Sequence, residues 1–140
     1  KTRILDLGCG TGANLESITK YEILYKEYTG MDMTPAMLAR ARKKFPDAHF
    51  ILGNAGDAKG TYDLIISTWM FEHLTDEEQK KILAIPGHHL HMYLGGREHY
   101  NWWQRLFAKC FQFEYVDDAQ LKGKKTHYGM LITLLEEVSR

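Results

Sequence analysis

Apolar residues along this chain come in short runs, separated by stretches with helical spacing. Residues 3–7 read as a brief buried strand. Leu15 and Ile18 then give one face to a helix over about 13–21. Further strands are predicted at 28–31, 49–52, 62–67, 88–94, 111–116 and 128–134. Thr34-Pro35 opens a second helix that runs to about 44 and stops before Pro46, because proline suits a first helical turn and threonine a cap. The T-x-x-E pattern of Thr75 and Glu78 starts a third helix through about 84, and a fourth is predicted over 100–110. Strands that alternate with helices imply a doubly wound, mostly parallel sheet of seven strands, with an antiparallel strand near the C-terminus. No repeat or linker interrupts the pattern, so residues 1–140 are expected to form a single domain.

Ligands in such sheets bind beyond the carboxyl ends of the strands, beside strand one. The sequence crowds that place with glycine: residues 4–12 read ILDLGCGTG, with Gly8, Gly10 and Gly12 two apart. Glycine is used where backbone turns sharply or approaches a ligand closely. With Ala13 the loop also satisfies the looser dinucleotide fingerprint, and Asp32 lies at the distance where an acid binds ribose hydroxyls.

Composition narrows the partners. Lysine plus arginine and aspartate plus glutamate both number 18, so the basic excess of a nucleic-acid grip is missing; Lys122, Lys124 and Lys125 read as a solvated turn. Two cysteines make no disulfide framework, and no apolar run approaches membrane-spanning length. The expectation is a soluble, cytoplasmic protein without membrane contact. The first strand begins almost at once, so an N-terminal lid is expected to be absent or trimmed. The sequence leaves the oligomeric state open.

Four segments, ILDLGCGTG, YTGMDMTPAMLARARKKF, HFILGNAGDA and YDLIISTWMFEHL, resemble in order and spacing the successive motifs of class I S-adenosylmethionine-dependent methyltransferases. The resemblance is close over about residues 3–75. It implies a Rossmann-like fold and S-adenosylmethionine as cofactor. The loop residues Gly8, Cys9, Gly10 and Gly12 would lie against the methionine tail and adenosine. Asp6 would steady the loop and help hold the methionine ammonium. Asp32 would accept both ribose hydroxyls, and Met33 would pack on adenine. The third motif departs from the family pattern: Asn54 stands where an aspartate is common. Asn54 and Ala55 are expected to meet adenine, with Asp57 as the alternative in a shifted register. Ser67 is expected beside the cofactor.

The acceptor is less legible. His73 in FEHL is the candidate base, against a helix-entry histidine satisfied by backbone. Trp69, Tyr93, Arg97 and His99 are candidate substrate contacts. His89 and His91 share a strand face but lack a third ligand at dependable spacing, so no metal is expected. The resulting expectation is in-line methyl transfer to an O or N atom of a small molecule, or of an exposed group on a macromolecule. The alternatives are a non-catalytic cofactor-binding partner subunit and a nicotinamide-dependent oxidoreductase. Asp6 argues against the oxidoreductase, since dinucleotide folds usually keep an apolar residue there.

Overall fold

The computed structural model describes residues 2–92, 112–116 and 130–134. Five parallel strands form its centre: β1 (Arg3–Leu7), β2 (Glu27–Asp32), β3 (His49–Leu52), β4 (Leu64–Thr68) and β5 (His88–Met92). Three helices connect them: α1 (Ala13–Lys20), α2 (Pro35–Lys44) and α3 (Asp76–Leu83). Two further strands, β6 (Gln112–Val116) and β7 (Met130–Leu134), continue the sheet, whose order is β3-β2-β1-β4-β5-β7-β6.

Strand direction corrects the expected mostly parallel seven-stranded sheet. Parallel pairing stops at β5, so the parallel Rossmann-like sheet has five strands, all parallel. β7 pairs antiparallel with β5, and β6 pairs antiparallel with β7. The physical reason is that an apolar run shows that a strand exists but carries no mark of its direction. Consecutive strands can also neighbour one another antiparallel without a helix crossing the sheet. The predicted helix over 100–110 and the lysine turn at 122–125 lie outside the described residues.

Alternation along the parallel strands builds two cores. Leu5, Leu7, Ile65 and Phe71 pack with Ile82 and Leu83 of α3 on one face. Ile4, Tyr28, Phe50 and Ile66 pack with Leu15 and Ile18 of α1 and Leu38 and Ala41 of α2 on the other. Covering both faces suits parallel strands that turn apolar residues to each side of the sheet. Thr75 caps α3 through the expected reciprocal box: its hydroxyl accepts from the Glu78 N–H, and the Glu78 carboxylate accepts from the Thr75 N–H. Two single 3-10 turns, Ala55–Asp57 and Phe71–His73, follow β3 and β4, where the sequence pattern showed only loops.

Candidate cofactor site

Gly8, Gly10 and Gly12 all adopt positive φ, at 67°, 54° and 89°. This left-handed run folds the loop back over β2. The Gly8 and Cys9 N–H groups donate to the Met31 carbonyl at 2.8 and 3.1 Å, and the Gly10 N–H donates to Asp32 Oδ2 at 2.9 Å. A Cβ on Gly12 would sit 3.0 Å from the Phe45 ring, whereas one on Gly10 would meet nothing within 4 Å. The crest of the loop therefore faces open space.

Asp32 ends β2 half-buried, and its two oxygens each accept one backbone N–H, from Gly10 and from Thr34 at 2.8 Å. A carboxylate offers about four acceptor positions, so roughly two remain open. Asp6 is placed differently. It is fully buried beneath the loop, where its oxygens accept from the Tyr28 hydroxyl at 2.6 Å and the Asn14 amide at 3.0 Å. The Asn14 oxygen in turn accepts from the Thr68 hydroxyl at 3.1 Å. β1, β2, α1 and β4 thus meet at one carboxylate. Burial pushes the Asp6 carboxyl up to about 6, although the bonds from Tyr28 and Asn14 oppose the rise; Asp32 adds to it. Burial likewise pushes the Cys9 thiol up to about 12, which leaves it a poor nucleophile.

The other expected residues are distributed around this centre. Met33, Leu52 and Trp69 are exposed at the carboxyl ends of β2, β3 and β4. Asn54 is partly buried and its Oδ1 accepts from the Gly56 N–H at 2.9 Å, which caps the first 3-10 turn. Ala55 is buried in that turn and Asp57 is exposed. The Ser67 hydroxyl is buried on the α3 face, 2.7 Å from His91 Nδ1, and so points away from the glycine loop's face. His73 is exposed in the second 3-10 turn. Trp69 has φ of 57°, which is uncommon for a bulky residue and costs of order 1–3 kcal/mol. Tyr93, Arg97 and His99 lie outside the described residues.

Three contributors escaped the sequence reading. Tyr28 and Asn14 hold Asp6, and Leu52 adds an apolar surface. Strand alternation could have found Tyr28, because it shares a face with Asp32 and pairs with Ile4 two residues before Asp6. A groove of about 780 Å³ among the described residues lies elsewhere, at the amino ends of β2 and β3 among Tyr25, Lys26 and His49.

Comparison with known proteins agrees with this geometry. The sequence model of a family described as a methyltransferase domain matches residues 4–91. An uncharacterised methyltransferase of Bacillus cytotoxicus is 34% identical over 84 residues, which are 58% of this chain and 38% of that protein. The chain thus spans well under half the length of this curated relative. A TehB-like S-adenosylmethionine-dependent methyltransferase from Corynebacterium glutamicum superposes with a TM-score of 0.71 at 19% identity, covering 97% of this chain and 80% of that one. The magnesium protoporphyrin IX methyltransferase from Synechocystis, solved with bound S-adenosylmethionine, gives a TM-score of 0.72 at 15% identity over 94% and 68%. At these identities the solved structures establish the fold. The family match spans most of the chain, and on that match this protein belongs to the methyltransferase-domain family.

Proposed function

We propose that this single domain binds S-adenosylmethionine over the carboxyl ends of β1 and β2 and transfers a methyl group to an O or N atom of a small molecule. The observation that carries the reading is the open crest at Gly10, bonded to an Asp32 carboxylate that still has acceptor positions to offer. Those positions suit a pair of vicinal ribose hydroxyls in charge-assisted bonds. The first turn of α1 has no side-chain cap, so its N–H groups are available to an amino-acid carboxylate. Met33 and Leu52 offer apolar surface to adenine. Ala55 and the second lone pair of the Asn54 oxygen supply polar contacts at its edge.

Charge favours this cofactor over a dinucleotide. Asp6 and Asp32 both lie against the loop, and among the described residues neither forms an ion pair. Two carboxylates attract a ligand with sulfonium and ammonium groups and repel a pyrophosphate.

When bound, the sulfonium supplies a methyl group on a good leaving atom, so the protein's share is alignment and exclusion of water. Alignment alone is worth roughly 7–11 kcal/mol in favourable intramolecular models. Trp69 walls the acceptor side. His73 takes the proton from an acceptor that must lose one to become nucleophilic. Tyr93, Arg97 and His99 contribute acceptor contacts in this reading. A small acceptor also accords with the porphyrin substrate of the Synechocystis enzyme and with the absence of a basic excess. No described helix is long and apolar enough to cross a membrane. A reducing cytoplasm fits the unpaired, buried Cys9.

The test is incubation of the protein with methyl-labelled cofactor and a whole-cell extract that contains small molecules, RNA and protein. Label should appear in a low-molecular-weight product, and His73→Ala should slow transfer to a hydroxyl acceptor by roughly 10²–10⁴-fold. Label confined to RNA or protein would refute the small-molecule assignment.

A further inference from the structure

His89 and His91 lie on one face of β5 with no measurable exposure, and the cofactor reading makes no use of them. Their ring nitrogens are joined in series. His89 Nε2 is 2.8 Å from the Ile85 carbonyl oxygen, His89 Nδ1 is 3.0 Å from His91 Nε2, and His91 Nδ1 is 2.7 Å from Ser67 Oγ. A carbonyl oxygen can only accept, so His89 carries its proton on Nε2. Burial holds both rings below the usual histidine range and therefore neutral, which leaves each with one donor and one acceptor. His89 Nδ1 must then accept from His91 Nε2–H, and His91 Nδ1 must accept the Ser67 hydroxyl proton. All three bonds run one way, from Ser67 to Ile85. The series ends on a carbonyl, so it cannot pass a proton onward; its effect is to fix geometry.

What it fixes is the end of β4. Ser67 is held from the α3 face by His91, and the next residue, Thr68, is held from the opposite face through Asn14. Trp69 follows with its left-handed backbone. Such strain persists only where the surroundings over-determine it, and here the two residues before the strained one are tied on both sides. We propose that His91 is a positioning residue for methyl transfer: kept in one tautomer by His89, it fixes Ser67 and so holds the Trp69 turn on the acceptor side. The consequence for catalysis rests on the methyltransferase reading; the tautomers do not.

Long-range ¹H–¹⁵N spectra of histidine-labelled protein at pH 7.5 read the tautomers directly. Both rings should be neutral and protonated on Nε2. His89→Phe removes the acceptor of His91 and should lower kcat about tenfold, with the cofactor Kd unchanged within about twofold. Ser67→Ala, a smaller deletion, should reproduce that loss if His89→Phe does not fold, and Ser67→Thr should restore most of it. A ring protonated on Nδ1 in the unaltered protein overturns the proposal. So does undiminished kcat in Ser67→Ala, or a Kd that rises as far as kcat falls. Failure of the unaltered protein to bind S-adenosylmethionine would instead remove the methyltransferase reading, and the spectra would still judge the histidine series.

Discussion

The Tyr28 hydroxyl donates to Asp6 Oδ2 at 2.6 Å across the β1–β2 pair, and this bond and the Asn14 amide are what hold a fully buried carboxylate under the glycine loop. Both donors are neutral. A buried carboxylate without a cation destabilises the empty fold, and it is suited to a site that gains a cationic ligand.

Asp6→Asn should therefore stabilise the protein at neutral pH. The folded-state value of about 6 lies above the usual carboxylate value. The folded state thus binds more protons, and the cost of the charge is fully present above about 6. That cost is at most about 3 kcal/mol. The new amide can accept from Asn14 and donate to a reoriented Tyr28 hydroxyl. Thermal melts at pH 7.5 should show a gain of about 1–2 kcal/mol, shrinking as the pH falls toward about 4. Cofactor affinity should drop in the same variant. Equal destabilisation at both pH values would contradict this account.

Gly30 shows how tightly the loop is seated on β2. A Cβ there would lie 2.8 Å from Cys9 Sγ and 2.8 Å from Phe50 Cδ1. Gly30→Ala should cost about 1–3 kcal/mol in urea unfolding and weaken cofactor binding, because Cys9 belongs to the loop. Combined with Cys9→Ala, which removes one of the colliding atoms, the two costs should sum to less than their separate values.

Acid should unfold the protein early. His89 and His91 are held neutral in the fold, below their unfolded value, so the unfolded chain takes up more protons. Their contribution is complete above about pH 6.5 and is lost as the pH falls below it, with Asp6 offsetting part of the slope. Replacing Ser67, His89 and His91 together by apolar residues should flatten the acid limb of a stability–pH curve. An unchanged limb would show that other groups control it.

In the proposed reading Trp69 carries its left-handed backbone so that its side chain can wall the acceptor side. Asn tolerates the left-handed region far better than a bulky aromatic. Trp69→Asn should leave stability unchanged or raise it by about 1 kcal/mol, while raising KM for the acceptor. Lower stability with unaltered KM would make Trp69 an ordinary packing residue.

Much of this was readable in the sequence because backbone constraints leave strong marks. Three alternate glycines, an acid at the end of the next strand and a T-x-x-E cap each have few other uses, and the loop, Asp32 and α3 follow from them. That parallel pairing stops at β5 was not readable, since apolar runs look alike either way up. Side-chain orientation was lost for a related reason. Ser67 lies near the carboxyl end of β4, one residue before its last, but the period of two that turns it to the α3 face matters only once His91 is known to lie opposite. Asn54 illustrates competition: its oxygen first serves the Gly56 N–H in a turn the sequence did not announce.

The most direct test is calorimetric titration of S-adenosylmethionine and NAD into the unaltered protein and into Asp32→Ala, with Asp32→Asn as a control that keeps an acceptor for the loop. The unaltered protein should bind S-adenosylmethionine and not NAD. Asp32→Ala should lose about a hundredfold or more in affinity, as expected for two charge-assisted bonds. NAD binding in place of S-adenosylmethionine, or full affinity in Asp32→Ala, would contradict the account.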